Sequence, residues 1–148
     1  METNKENTKI LEKIYWRTLK ARDVYQNAAK NVHNRPLTGF FEDAAIKHDE
    51  FAVNLKSDLS EDIDKKSPMD LKTDEFWSDF ASIIVRRNES AMLKNCLSAE
   101  RKAIEMYDQA LERSDLEEQV KNKVRQQRDY ATQLYKEVED LEKQYASD

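Results

Sequence analysis

Apolar residues recur along this chain in paired seven-residue series, the spacing of a helix that packs one stripe into a bundle. From Thr8 to Val32, Leu11, Thr18, Tyr25 and Val32 stand on one series, and Ile14, Ala21 and Ala28 on the other. The stripe stops at His33-Asn34-Arg35-Pro36, where Pro36 can open a new helix at its first position, since the backbone N–H there needs no partner. The pattern predicts a tight helical hairpin, with helices over about 8–32 and 36–62.

In the second helix Leu37, Ala44, Phe51 and Asp58 form one series, and Phe41, His48, Leu55 and Asp62 the other, so the apolar seam fades near Asp58. Fraying is expected between Ser60 and Lys66. Gly39, in the first turn, could let another helix approach closely. A Lys-Ser-Pro-Met break follows, and then Phe76, Trp77, Phe80, Ile83 and Ile84 at helical spacing predict a short helix over about 74–85. So long a connection suits a crossover that returns the chain to its starting end and makes helices two and three parallel.

The third helix is expected over about 88–113, with Asn88 as N-cap, and carries Leu93, Glu100 and Tyr107 beside Cys96, Ala103 and Ala110. Ser114-Asp-Leu-Glu117 reads as a capping box that opens a fourth helix over about 115–143. That helix carries Val120, Gln127, Leu134 and Leu141 beside Val124, Ala131, Val138 and Tyr145. The fold class is therefore all-α: an antiparallel four-helix bundle with a long helical crossover between helices two and three, in one domain spanning 1–148.

Composition agrees with this reading. A chain of 148 residues can bury one core without a disulfide or metal staple. One Gly, two Pro and 37% charged residues leave too few turn residues for a sheet protein. The net charge of −5 arises from acids and bases mixed along the chain, as on solvated helix faces. Arg86-Arg87 and the Lys121–Arg128 stretch are diluted by neighbouring acids, so nucleic acid is not an expected partner. The polar N-terminus lacks the apolar core of a signal peptide, and no apolar run approaches the roughly 20 residues that span a membrane. The single Cys96, among Leu93, Leu97 and Ala99, reads as a buried structural thiol, which suits a cytoplasmic location.

Helices one and three match at a constant offset of 82 positions, with Lys20-Ala21-Arg22-Asp23-Val24-Tyr25-Gln26-Asn27-Ala28 against Lys102-Ala103-Ile104-Glu105-Met106-Tyr107-Asp108-Gln109-Ala110. Two helices with one packing role could converge on such residues; a duplicated helical hairpin would also produce them. The segments Ala21–Ala29, Phe40–Ala45 followed by His48-Asp-Glu-Phe51, and Ala99–Tyr107 resemble an uncharacterised bacterial family of ferritin-like four-helix-bundle proteins, domain of unknown function 2383. The resemblance runs from about Ile10 to Leu141. It implies a ferritin-like bundle and an association with stress responses.

Ferritin-like iron proteins hold two metals with one Glu from each of two helices and a Glu-x-x-His pair from each of the other two, because several carboxylates must balance two dications. Here Glu100 occupies the inward mid-helix position of helix three, but its repeat partner in helix one is Thr18. His48 faces inward with Ala45 three residues before it, and Glu42 lies too far around the helix. On helix four the equivalent pair is about Arg128 and Ala131, a cation and a methyl. His48 and Glu100 are thus the only metal-ligand candidates, and no metal or other cofactor is expected. His48 and Glu100 are expected to reach partly to solvent or to bond neighbouring side chains; the sharper alternative pairs Glu100 with His48 or Arg128 in the middle layer.

Cys96 has no nearby base, His33 lies in a connection, and one Gly leaves no phosphate loop. Tyr25 and Tyr107 are expected to be core residues whose hydroxyls bond across the bundle. The leading expectation is a non-enzymatic, metal-free bundle with a structural, binding or stress-related role. One alternative is a divergent metal-binding or oxidative-stress protein that recruits Glu100, His48, Asp23 and Glu105 or a second chain. Another is an interaction module presenting Phe76, Trp77 and Phe80, in a homo-oligomer or to a protein partner.

Overall fold

The computed structural model describes residues 2–32, 34–59 and 89–146, and over these the backbone forms four helices: α1 (Glu2–Asn31), α2 (Arg35–Lys56), α3 (Glu89–Leu111) and α4 (Glu118–Ala146). No strand occurs among the described residues. The helices pack in two hairpin pairs, α1 with α2 and α3 with α4. The pairs meet along α2 with α4 and α1 with α3.

Two apolar clusters fill the interior. The first joins Tyr25, Phe41, Leu93 and Leu134, from the C-terminal halves of α1 and α4 and the N-terminal halves of α2 and α3. The second joins Ile14, Leu55, Tyr107 and Val124 from the opposite halves. This distribution makes α1 antiparallel to both α2 and α3, and α2 antiparallel to α4. The parallel relation of α2 and α3 follows, and the chain leaves α2 at the opposite end of the bundle from the start of α3, as the crossover topology requires. The crossover helix over 74–85, the fraying over 60–66, the aromatic face of Phe76, Trp77 and Phe80, and His33 all lie outside the described residues.

Helix ends differ from the sequence reading for identifiable reasons. The first helix starts at Glu2 rather than near 8, since no Gly or Pro precedes Pro36 to stop it. In α2 the N-cap is Asn34, whose side chain accepts from the Leu37 N–H at 3.3 Å, so Pro36 occupies the second helical position, not the first. This helix ends at Lys56, six residues before the expected limit. Its last turn tightens through Asp58 N–H to Leu55 and Leu59 N–H to Lys56 carbonyls, and Lys123 of α4 donates to the Asn54 carbonyl, the Ser57 hydroxyl and Asp58. A cation set on the Asn54 carbonyl, at the C-terminal end, caps the helix from outside.

The expected capping box does not form. Ser114 lies in a turn and α4 begins at Glu118, with its opening bond running from Lys121 N–H to the Glu117 carbonyl at 2.9 Å. The turn brings Leu116 into the second cluster, a burial that a helix begun at Asp115 would have to rearrange. Gly39 also departs from expectation, because a Cβ added there would meet nothing within 4 Å. Among the described residues no helix approaches it.

Candidate functional site

Between the two apolar clusters lies a layer of buried polar side chains: Arg17 and Thr18 of α1, His48 of α2, Glu100 of α3 and Gln127 of α4. All but Arg17 stand where the apolar stripe of the helix would otherwise run on. Buried polar groups persist only when hydrogen-bonded, so their partners decide what the layer can do.

Glu100, 1% exposed, accepts a hydrogen bond from the Tyr25 hydroxyl at 2.7 Å. It thus bonds a neighbouring side chain, and its partner is neither His48 nor Arg128, the two named by the sharper expectation. Arg128 is half-exposed and forms an ion pair with Asp108 of α3 at 2.5 Å. One residue is 100° of helix, and this displacement places Gln127 in the layer and turns Arg128 out. His48 is directed locally: its Nδ1 lies 2.6 Å from the Ala44 carbonyl, one turn back. A carbonyl oxygen can only accept, so Nδ1 carries the proton. The imidazole packs against the rings of Tyr25 and Tyr130, with centroids 5.3 and 5.9 Å away.

The offset of 82 residues seen in sequence is a spatial relation. Leu11 and Leu93, Ile14 and Cys96, Thr18 and Glu100, Ala21 and Ala103, Tyr25 and Tyr107, and Ala28 and Ala110 are all buried. Each tyrosine meets the layer residue of the opposite helix: Tyr25 bonds Glu100, and the Tyr107 hydroxyl lies within hydrogen-bonding reach of Thr18 and Arg17. The Tyr25 hydroxyl thus bonds across the bundle as the sequence implied, and the Tyr107 hydroxyl faces the same way. The exchange of partners is that of an approximate two-fold axis between α1 and α3.

Sequence reading overlooked Arg17. Its guanidinium reaches between the helices and donates to the Ala99 carbonyl at 2.5 Å, and its side chain is 7% exposed. Position 17 adjoins the inward Thr18, and a long stem lets a residue beside the stripe deliver its head inward. Gln127 was legible as a seam residue. Tyr130 was not, since its place beside His48 depends on how α2 meets α4.

Burial dominates the protonation of the layer. It pushes the Tyr25 hydroxyl well above the ordinary range, and the Glu100 charge pushes it further. The Cys96 thiol is raised by burial and then by Glu100, so it is no thiolate nucleophile. Tyr107 is pushed up to about 12, chiefly by burial, against the charge of Arg17. Burial lowers His48, while Glu100 and the Ala44 carbonyl act in the opposite direction and Arg17 adds to the lowering. The thiol and phenols are held protonated and the imidazole neutral near pH 7.

A carboxylate-bridged pair of metals does not fit these residues. The layer supplies one carboxylate, already engaged by Tyr25, and one imidazole, while Thr18 and Gln127 contribute neutral groups and Arg17 a cation. Asp23 and Glu105, the acids that a divergent centre might have recruited, both face solvent, and Asp23 pairs with Arg22 at 3.0 Å. Glu42 is exposed as well. Among the described residues no group of three or more His, Cys, Asp or Glu side chains lies close enough together to hold a metal ion. Nor is any described helix long and apolar enough to cross a membrane.

No curated protein and no solved structure matches the chain. The family described as Domain of unknown function (DUF2383) matches residues 6–113, which carry α1, α2 and α3 and so Arg17, Thr18, Tyr25, His48 and Glu100 of the layer, but leave out the α4 that the sequence resemblance had included. With a match over the greater part of its length, the chain belongs to this family.

Proposed function

We propose that the protein is a non-enzymatic, metal-free, ferritin-like helical bundle of the cytoplasm with a structural, binding or stress-related role, in which the middle layer is a structural hydrogen-bond network. The observation that carries this reading is the donor set of that layer. A ferritin-type centre needs carboxylates from all four helices, whereas α1 and α4 bring Thr18 and Gln127 to the layer and α1 adds the Arg17 guanidinium. Acid–base and nucleophilic chemistry are equally poorly served, because the groups that could perform them are buried and held neutral. Buried Cys96 suits a reducing compartment.

The test is elemental analysis of protein purified from iron- and manganese-replete cells, combined with titration of the protein with ferrous iron under argon. The expected result is substoichiometric metal and no saturable iron binding. Close to two iron or manganese ions per chain, lost in a Glu100→Ala variant that still folds, would overturn the proposal.

A further inference from the structure

The outward face of α2 carries two large aliphatic side chains in water. Ile46 is 60% exposed and Val53 65% exposed, seven residues apart and hence on one face of the helix. Gly39 lies seven residues before Ile46, and its Cβ position opens on free space, so no bulk interrupts the face at its start. Beside Val53 runs a groove of about 270 Å³ between α1 and α2, lined by Tyr15, Leu19 and Ala52 together with the charged Arg22, Asp49 and Lys56. Single exposed aliphatics are ordinary on any protein. Two at heptad spacing, next to a groove with apolar and charged walls, form the seam that an amphipathic helix reads.

The charges around this seam select its occupant. Glu42 and Asp43 flank Ile46, and Asp49 and Glu50 stand between the two aliphatics. Arg22 holds Asp49 at 2.9 Å and Lys47 holds Glu50 at 3.6 Å, whereas Glu42 and Asp43 have no ion-pair partner among the described residues. A second copy would be a poor fit. An antiparallel pairing that seats Ile46 on the other copy's Val53 sets Asp49 against Glu50, and a parallel pairing sets Asp49 against Asp49. Either register opposes like charges at the centre, in a chain that already carries a net charge of −5.

We propose that this face of α2 docks a basic amphipathic helix from a protein partner. Apolar residues at i and i+7 of that helix rest on Ile46 and Val53, and Lys or Arg at i+3 or i+4 and in the flanking turns meet Glu50, Glu42 and Asp43. The surface is separate from the middle layer, and the proposal stands whether or not that layer binds metal.

The experiment uses the full chain and a fluorescein-labelled helical peptide of about 18 residues, with Leu at i and i+7 and Lys at i+3, i+4 and the flanking turns. A control peptide carries Glu at every Lys position. Anisotropy titrations should show binding of the Lys peptide that weakens as salt rises, and no binding of the Glu peptide. The Ile46→Gln/Val53→Gln variant, which removes the apolar contacts and leaves the charge of the face unchanged, should weaken the Lys peptide by about tenfold or more. Both sites are exposed, so an unchanged helical spectrum and melting curve would establish that the variant folds. Gly39→Leu, which lengthens the seam, should tighten binding. Equal affinity for the two peptides, or unchanged affinity in the double variant, would overturn the proposal. So would sedimentation showing a wild-type dimer that the double variant abolishes, since the seam would then belong to a second copy.

Discussion

Tyr25 and Tyr107 occupy equivalent places on antiparallel helices, yet one hydroxyl donates to a carboxylate and the other faces Thr18 and the Arg17 guanidinium. The side of the layer built on Glu100 therefore presents a carboxyl group, and the opposite side presents a hydroxyl beside a guanidinium. Helix packing is the same around both, with Ala21 and Ala103 or Ala28 and Ala110 fully buried on either side. The bundle thus fixes where a polar residue stands in the layer while leaving open what that residue is. Symmetric backbone geometry does not require symmetric chemistry, and a two-metal centre needs both sides to carry acids.

Substitutions can break this asymmetry. Glu100→Ala leaves the buried Tyr25 hydroxyl without its acceptor and opens a void, and should cost about 3 kcal/mol or more of stability in urea unfolding. The equivalent Thr18→Ala removes a smaller, neutral group and should cost about 1 kcal/mol. The tyrosines should follow the same order, about 2 kcal/mol for Tyr25→Phe, whose bond is to a carboxylate, against about 1 kcal/mol for Tyr107→Phe. Equal losses at the two tyrosines would mean that Glu100 contributes no more than Thr18.

His48 sharpens the comparison through pH. Its folded-state pKa lies below 6.5, so in acid the unfolded chain takes up a proton that the folded layer resists. This contribution to stability is fully present above pH 6.5 and is lost as pH falls from there through the lower, folded value. Unfolding followed at successive pH values should show a slope of at most about 1.4 kcal/mol per pH unit below that point, reduced in His48→Gln. An unchanged slope in the variant would assign the effect to other groups. The smallest effect lies outside the layer: Gly39→Ala should stabilise α2 by about 0.5–1 kcal/mol, because the added methyl meets open space and Ala favours the helix. A lower melting temperature in that variant would contradict the free space at that position.

The helices and their inward faces were legible in sequence because a period near 3.6 residues repeats over many turns and errors at one position average out. Single-residue decisions were less legible. Gln127 and Arg128 are neighbours, and only the rotation of α4 against α3 and α2 determines which is buried and which pairs with Asp108. The buried state of Glu100 could be read from its series, but its choice of Tyr25 over His48 depends on the axial register of α1 against α3.

By itself, the sequence determined an all-helical chain, the inward stripes, the short hairpin turns and the 82-residue correspondence. Those features reside in spacing and side-chain chemistry, which are set locally. Tertiary structure decided where α2 stops, through Lys123 reaching over from α4, and where α4 starts, through the burial of Leu116. It also brought Arg17 into the layer beside the Ala99 carbonyl. These outcomes depend on groups distant in sequence meeting at a particular rotation and height, and only packing of the four helices fixes both.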